Sequence, residues 1–453
     1  MIRSSILLLL FLSPAALVAQ ALTLEQCIKR ALGQNVDVRV AEQNLRRSAA
    51  DVKSARANKL PAADATLFGY GRSRTGPSVR IQENPAGIDP ETGQAIFEEQ
   101  HTRIPAINRN SYSFSASLSH TLYDAGRRAN GHRAAQHNLQ SAEQDFAARR
   151  ADVVYSVKQH YYELLKAIEL VEVQEESLKL SEKQLEDAQV RLQVGSGTEV
   201  DVLRLQVALD NAQSQLINVQ QGVFLGRAQL NHIMGEAVRA PLEVAQLQEV
   251  EWQMPVAEAQ LPEIVAQVSG RNPALRSLHQ TIAASGYNLR VARGARYPRV
   301  SGSLNYSRNS EIFDRVYHYQ SLERNYRLNL GISLTYNLFD GGARQAAIDR
   351  SAVALKTAQM NAAQREREVA LAIETVYLEL VRLEKILRLG ERTVKLAGED
   401  LRLAEERYRV GKGRLLEVLD AQVGFTEARS NWVRTRYDLK IGEADLERLI
   451  GGW

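Results

Sequence analysis

The stretch Ser111-Tyr112-Ser113-Phe114-Ser115-Ala116-Ser117-Leu118-Ser119-His120-Thr121-Leu122 alternates strictly. One face carries Ser111, Ser113, Ser115, Ser117, Ser119 and Thr121; the other carries Tyr112, Phe114, Ala116, Leu118, His120 and Leu122. Period-two alternation identifies a β-strand with one polar and one apolar face. The pattern returns in 327–338, where Leu328, Leu330, Ile332, Leu334, Tyr336 and Leu338 face away from Arg327, Asn329, Gly331, Ser333, Thr335 and Asn337. A strand crossing a bilayer needs about 9 to 11 residues, apolar towards lipid and polar towards a wet lumen. A half-buried sheet of a soluble protein alternates in the same way. Here the polar face carries small hydroxyls instead of the Lys and Glu of a solvated face. Tyr123 and Phe339 follow where an interfacial aromatic belt would sit.

Outward from these strands, the second half of the chain repeats the first. Leu122-Tyr123-Asp124-Ala125-Gly126 returns as Leu338-Phe339-Asp340-Gly341-Gly342, Val194-Gly195-Ser196-Gly197 as Val410-Gly411-Lys412-Gly413, and Leu230 to Gly235 as Leu446 to Gly451, all offset by 216 positions. Upstream, Asn35 matches Asn272 and Pro61 matches Pro298 at an offset of 237. The 21-residue difference falls in the connection between the two strands of each unit: 38 residues separate Arg72 from Ser111, and 17 separate Asn309 from Arg327. Long connections of this kind lie on the outer side of a bacterial barrel. The expected organisation is a signal peptide (1–21), a first repeat (22–235), an irregular linker (236–262, with Pro241, Trp252, Pro255 and Pro262) and a second repeat (263–453).

Each unit opens with two helical stretches, Thr23 to Leu32 and Asn35 to Lys59 in the first copy. Pro61 and Pro298 then push the chain into extended geometry, which starts weaker strands at Ala62 to Tyr70 and Val300 to Tyr306. After the second strand, Asp124 and Asp340 are placed to cap a helix that runs without proline to Gly195 or Gly411, about 68 residues or roughly 100 Å. A heptad series marks it: Val157, Leu164, Val171, Leu178, Leu185, Leu192, and in the second copy Ile373, Leu380, Leu387, Val394, Leu401, Tyr408. That spacing signals a coiled coil, and small residues at Ala188, Gly390, Ala397 and Ala404 would let helices approach closely. Glycine just past the helix end turns the chain back into returning helices over Thr198 to Met234 and Arg414 to Ile450.

Net charge is +4 from 57 basic and 53 acidic residues, too balanced for a nucleic-acid binder. Arg3, the apolar run from Ile6, and Ala19-Gln20-Ala21 read as a secretory signal with its cleavage site. No other run approaches the roughly 20 apolar residues of a membrane helix. Cys27, the single cysteine, follows Leu24-Glu25-Gln26, which is no lipoprotein box, and reads as a small buried residue. Nothing catalytic emerges. His132 and His137 are poorly spaced to share a helix face, His160-Tyr161-Tyr162 reads as packing, and no phosphate loop, nucleophile elbow or zinc motif is present. The chain reads as a non-enzyme without cofactor or metal.

Four strands cannot close a barrel, and a lipid-exposed sheet edge is not viable, so chains must pool strands. Two chains would give eight strands, a barrel filled by its own side chains; three would give twelve and a wet lumen. At this point the whole mature chain resembles the TolC-like family of outer-membrane efflux and secretion channels. The resemblance rests on the duplicated unit, the paired strands, the linker, and two matching tips, Val194-Gly195 through Asp201-Val202-Leu203 and Val410-Gly411 through Glu417-Val418-Leu419. It implies an α+β membrane protein: a homotrimer whose 12-strand β-barrel in outer-membrane lipid continues as a periplasmic α-helical barrel of coiled-coil hairpins. It also implies a periplasmic adaptor at the hairpin tips (Val194, Gly195, Gly197, Val410, Gly411, Gly413 and Arg414) and an inner-membrane transporter beyond it.

Glu417 and Asp420 are three apart and share a helix face. Three copies would make rings of carboxylates, which concentrate cations; read alone, they are equally an acidic pair at a helix start, favoured by the dipole. The resemblance implies a periplasmic gate at Glu417 and Asp420, with Asp201 and Tyr408 in the links that hold it shut. Glu417 stands where Asp is common in the family. The arginine of that network would fall on Gly413, with Arg414 adjacent. The function implied is the exit duct of a tripartite efflux system. The alternatives are a protein-secretion duct of the same fold and a soluble periplasmic coiled-coil scaffold.

Overall fold

The structure, a computed structural model, describes residues 21–246, 256–318 and 323–452. The expected signal peptide lies almost wholly outside them, as do Trp252 and Pro255. Two compact units emerge, and both halves of the chain contribute to each. One takes the described parts of Met1–Ala49, His137–Ala283 and Lys356–Trp453; the other takes Ala50–Gln136 and Ala284–Leu355.

The chain begins with α1 (Leu24–Gln34) and α2 (Val36–Ala57). Thr23 and Gln26 form a reciprocal capping box at the first helix, satisfying two of the backbone donors that a helix start leaves open. Pro61 ends helical geometry, and β1 (Ala62–Thr75) follows. β2 (Ser78–Ile88) and β3 (Ala95–Ile104) come next, then β4 (Ile107–Tyr123). The long helix α3 (Arg127–Gln193) and its return α4 (Glu199–Met234) complete the first copy. In the second copy α5 (Leu261–Arg271), α6 (Pro273–Gly294), β5 (Arg299–Ser310), the one-turn α7 (Asp314–Tyr317) and β6 (Tyr326–Thr335) precede α8 (Ala343–Arg409) and α9 (Leu415–Ile450). The two long helices are each 67 residues and the two returning helices each 36.

The strands form one antiparallel sheet in the order β1-β4-β5-β6, and β2 pairs with β3 as a separate hairpin. Register carries the serine row of β4 across the sheet. Ser117 lies between Asp64 and Asn305, and Asn305 pairs on to Asn329. On the opposite face Leu118 pairs with Leu304, and Leu304 with Leu330. Leu328, Leu330, Ile332 and Leu334 are all more than half exposed, Leu330 at 80%. Among the described residues, no helix is long and apolar enough to cross a membrane.

Two expectations need correction. The 38-residue connection between Arg72 and Ser111 is no irregular loop but the β2–β3 hairpin: its residues alternate closely enough to pair from Ser78 with Ile104 to Ile88 with Ala95. The last strand ends at Thr335, not Leu338. Its last partner is Arg299, and Pro298 beyond has no N–H to extend the ladder. Of the expected linker, 236–246 and 256–262 are described. Pro262 lies in the first turn of α5, where its missing donor costs nothing. At the other end Leu22 bridges Val244, and the Tyr161 hydroxyl donates to the Ala245 carbonyl at 2.7 Å.

In the helical unit the heptad positions Val157, Leu164, Ile373 and Leu380 are fully buried, as is Cys27. Close approach comes from a pair of glycines the heptad series does not contain. A Cβ on Gly226 would stand 3.3 Å from Leu164, and one on Gly442 2.8 Å from Leu380. Glycine at these equivalent places lets each returning helix sit against its partner. Asn35 and Asn272 also work alike. Their carboxamides donate to the carbonyls of Ile233 and Leu449, each at 2.9 Å, and accept from the first N–H groups of the following helix. Gly235 and Gly451, with φ of 77° and 83°, let the ends of α4 and α9 turn beneath the carbonyls of Gln34 and Arg271.

Candidate functional site

The hairpin tips are built by helix endings. α3 stops where Gly195 adopts a left-handed φ of 77°, and α8 where Gly411 adopts 73°. Two N–H groups then return to one carbonyl: Ser196 and Gly197 to Arg191 at 2.8 and 3.0 Å, and Lys412 and Gly413 to Arg407 at 2.9 and 3.0 Å. This satisfies the orphan carbonyls of a helix end. Gly197 and Gly413 are needed for a different reason, since a Cβ at either would meet the preceding helix at 3.0 to 3.1 Å. Val194 and Val410 stand exposed at the two apices, and Val200 and Leu416 one turn beyond.

The returning helices start differently. Thr198 caps α4: its hydroxyl accepts from the Asp201 N–H at 3.1 Å and donates to the Asp201 carboxylate at 2.8 Å. In α9 the corresponding place is Arg414, whose side chain makes no cap bond. Its carbonyl accepts from the Glu417 N–H at 3.1 Å. Glu417 instead pairs with Arg407 across its own turn at 3.6 Å, both side chains well exposed. Asp420 is exposed.

Tyr408 and Asp201 lie within electrostatic reach of each other, although they belong to different hairpins. Tyr408 packs with Leu185, Leu205 and Leu415, and also with Leu401 and Val418. Burial pushes its hydroxyl pKa up, the Asp201 carboxylate adds to the rise, and Arg191 opposes it. The Arg191 guanidinium lies 4.8 Å from the centre of the Tyr408 ring, within range of a cation–π attraction. Arg191 was not among the residues picked from sequence. The signal was there: Arg191 is the repeat equivalent of Arg407, four residues before the glycine of each tip. The guanidinium beside Tyr408 comes from the other hairpin, on α3, while Arg414 stays at the helix cap.

The two hairpins are joined lengthwise by a ladder between α3 and α9. Lys158 pairs with Glu447 at 2.7 Å, Lys166 with Asp438 at 2.9 Å, Glu169 with Arg436, and Glu176 with Arg429. Towards the tip, the Gln422 amide donates to Ser181 at 2.9 Å. Two of the histidines have structural partners: His137 bonds Gln280 at 2.9 Å, and His160 bonds Glu163 at 3.0 Å.

The model of the outer membrane efflux protein family matches residues 27–236 and 264–452. This chain belongs to that family. Among its relatives, the probable efflux pump outer membrane protein TtgC of Pseudomonas putida is 25% identical over 436 residues, covering 95% of this chain and 83% of that protein. The pyoverdine export outer membrane protein OpmQ of Pseudomonas aeruginosa is 24% identical over 434 residues, covering 95% and 85%. The fold matches that of the CmeC outer membrane channel of Campylobacter jejuni with a TM-score of 0.80 at 17% identity, covering 95% of this chain and 85% of that one. The α+β architecture of an outer membrane efflux protein, with its paired strands and long helical hairpins, is therefore the architecture of this chain. The relatives' names describe efflux and export proteins, not enzymes.

Proposed function

We propose that this outer membrane efflux protein works as a homotrimer, the passive exit duct of a tripartite efflux system. One observation carries the reading. The four-stranded sheet has two outer strands, β1 and β6, without further partners among the described residues, and its leucine face is open. In hydrocarbon every backbone donor must be satisfied, so β6 of one copy needs β1 of the next. Three copies make twelve strands, with lipid against Leu328 to Leu334 and a lumen lined by the serine row. The exposed leucines argue against the soluble scaffold, which would have to hold them in water.

A cleaved signal peptide delivers the chain to the periplasm. The exposed valines at the tips, Val194 and Val410, are the surface for a periplasmic adaptor that connects an inner-membrane transporter. Glu417 and Asp420 ring the entrance, and Asp201, Tyr408 and Arg191 hold the hairpins together there. The test is the native mass of the protein extracted from outer membranes in mild detergent, followed by conductance in a planar bilayer. A mass of three chains with a measurable conductance is expected. A monomer recovered from the detergent-free periplasmic fraction would overturn the reading. Co-purification with a secreted polypeptide and its transporter would replace efflux by protein secretion.

A further inference from the structure

Register assigns each charged residue of the sheet to a face. Ser119, Ser117 and Ser115 pair with Ala62, Asp64 and Thr66 of β1. On the other side they pair with Ser303, Asn305 and Ser307 of β5, which carry the same face on to Gly331, Asn329 and Arg327 of β6. Arg109 opposite Ser73, and Arg299 opposite Thr335, share it. The charged residues of the serine face are therefore Asp64, Arg109, Arg299 and Arg327. Arg109 pairs with Glu311 at 3.5 Å. A wall otherwise made of hydroxyls and carboxamides thus carries an excess of guanidinium.

At the helix-bearing end of that face a hollow of about 430 Å³ opens between β4, β5 and the helices α2, α3 and α6. Thr121, Asp124, Arg127, Arg128 and Arg299 are in its lining. Its acid is already committed: Arg128 donates to the Asp124 carboxylate at 2.9 Å, and also to the carbonyls of Asn58 and Thr121. Arg127 and Arg299 are exposed and form no ion pair among the described residues. The stem of Arg127 is held against Gly294, where a Cβ would stand 2.6 Å from its Cγ.

The duplication separates what the fold requires here from what it does not. Asp124 with Arg128 returns as Asp340 with Arg344, bonded at 2.6 Å, so this pair ties strand end to helix start in both halves. Arg127, Gly294 and Arg299 do not return: the equivalent places hold Ala343, Ala57 and Ala62. Glycine stands where the arginine stem must pass, and alanine where no stem passes. The two uncommitted guanidiniums are an addition to a junction that the other half builds without them. The planar donor fork of arginine matches a carboxylate or a phosphate, and rings of arginine serve anion-conducting pores. We infer that the hollow of Arg127 and Arg299 binds the carboxylate or phosphate group of a small anionic solute passing through the lumen, with the Thr121 hydroxyl as a further donor. A lipid headgroup does not supply that group, because the leucines that would receive its chains lie on the opposite face of the sheet. In a homotrimer three such hollows would surround the lumen where it leaves the strands. The inference rests on the reading of the serine face as the wall of a lumen.

The experiment records single channels in a planar bilayer and adds citrate, inorganic pyrophosphate or glucose. Citrate and pyrophosphate should lower the mean current, glucose at the same concentration should not, and the block should weaken as potassium chloride rises. The double variant R127Q/R299Q should raise the half-blocking concentration roughly twentyfold, about fivefold for each exposed guanidinium. R127K/R299K keeps the charge and should recover most of the block. Equal block by glucose, a salt-independent block, or an unchanged R127Q/R299Q would overturn the site. A second measurement needs neither a variant nor a current: phenylglyoxal modification of the wild type in detergent, mapped by mass spectrometry. Citrate should slow modification of Arg127 and Arg299 and leave that of Arg350 unchanged. Equal rates with and without citrate at all three would overturn the site. Protection without conductance would remove the lumen and keep the anion site, whereas conductance without block or protection would keep the duct and remove the site.

Discussion

Replacing Arg191 by alanine should open the duct. The Arg191 guanidinium lies 4.8 Å from the Tyr408 ring centre and links the first hairpin to the second. Both groups are half-buried, so the attraction falls between the exposed and desolvated limits, about 1 kcal/mol. In a trimer the link occurs three times, and a concerted opening breaks all three, about 3 kcal/mol or roughly a hundredfold in the ratio of open to closed states. Single-channel recording in a planar bilayer measures that ratio directly. Tyr408→Phe keeps the ring and should behave nearly as wild type, whereas Tyr408→Ala should match Arg191→Ala. Arg407→Ala is the control: it removes the repeat-equivalent arginine, whose partner Glu417 is on the same hairpin and in solvent, where an ion pair is worth little. If Arg191→Ala keeps the wild-type closed dwell while Arg407→Ala shortens it, the cross-hairpin link is the wrong one.

Other consequences are simpler to check. Alanine at Gly451 must adopt a positive φ and also place its Cβ 2.8 Å from a backbone oxygen, whereas at Gly411 it meets the φ alone. Thermal unfolding should therefore fall further for Gly451→Ala than for Gly411→Ala, which costs roughly 1 to 2 kcal/mol. The double variant E417A/D420A should lower cation selectivity in bilayer recordings. An unchanged reversal potential in a salt gradient removes these residues from the gate. Burial raises the hydroxyls of Tyr161, Tyr162 and Tyr437 to about 12. An acid whose folded pKa lies above its unfolded value of about 10 destabilises the fold once the unfolded chain can ionise and the folded one cannot. Stability should thus be insensitive to these groups below pH 10 and fall between about 10 and 12. Circular dichroism melts across that window test the sign, and a flat profile would show that these hydroxyls reach water.

The fold was legible because its main devices are local. The serine row of β4 declares its period without help, Pro61 and Pro298 mark where helices must stop, and Val194-Gly195 and Val410-Gly411 mark where they turn. The β2–β3 hairpin was missed because its apolar residues are diluted by Pro85, Gly87 and charges. Its pairing depends on a register shift between Pro85 and Gly87 that no periodicity count anticipates. Arg191 was missed for a different reason. Its partner is 217 positions away in sequence, on the other hairpin, and nothing in the spacing of either tip says that the two meet. Gly226 and Gly442 carried a detectable signal, being repeat equivalents, but a lone glycine inside a helix reads as a weak point until Leu164 and Leu380 are seen against it.

The two halves have kept some features in common and let others part, and the division follows what each face touches. Asn35 with Gly235, and Asn272 with Gly451, tie the same ends in both halves because that contact is internal to each. The long seams are different. Along α3 and α9 five ion pairs join the halves among the described residues, the fifth being Arg448 with Asp152 at 3.4 Å. Shifted by one repeat, the same positions on α8 and α4 read Glu374 with Asn231, Arg382 with Gly222, and Lys385 with Gln220: the charges on one side have no counterpart on the other. The outer side of α8 instead shows Leu371, Leu378, Leu389, Leu396 and Leu403 exposed. Discrimination between like surfaces requires features that disfavour the wrong partner as well as ones that favour the right one. A duplicated chain with identical seams could pair either half with either. With charges on one seam and leucines on the other, α9 is suited to α3, and a leucine face set against the α3 charges would leave them desolvated and unpaired. The divergence therefore fixes the order in which the hairpins can be arranged, and it does so in the long helices, where the repeat is otherwise best matched in length.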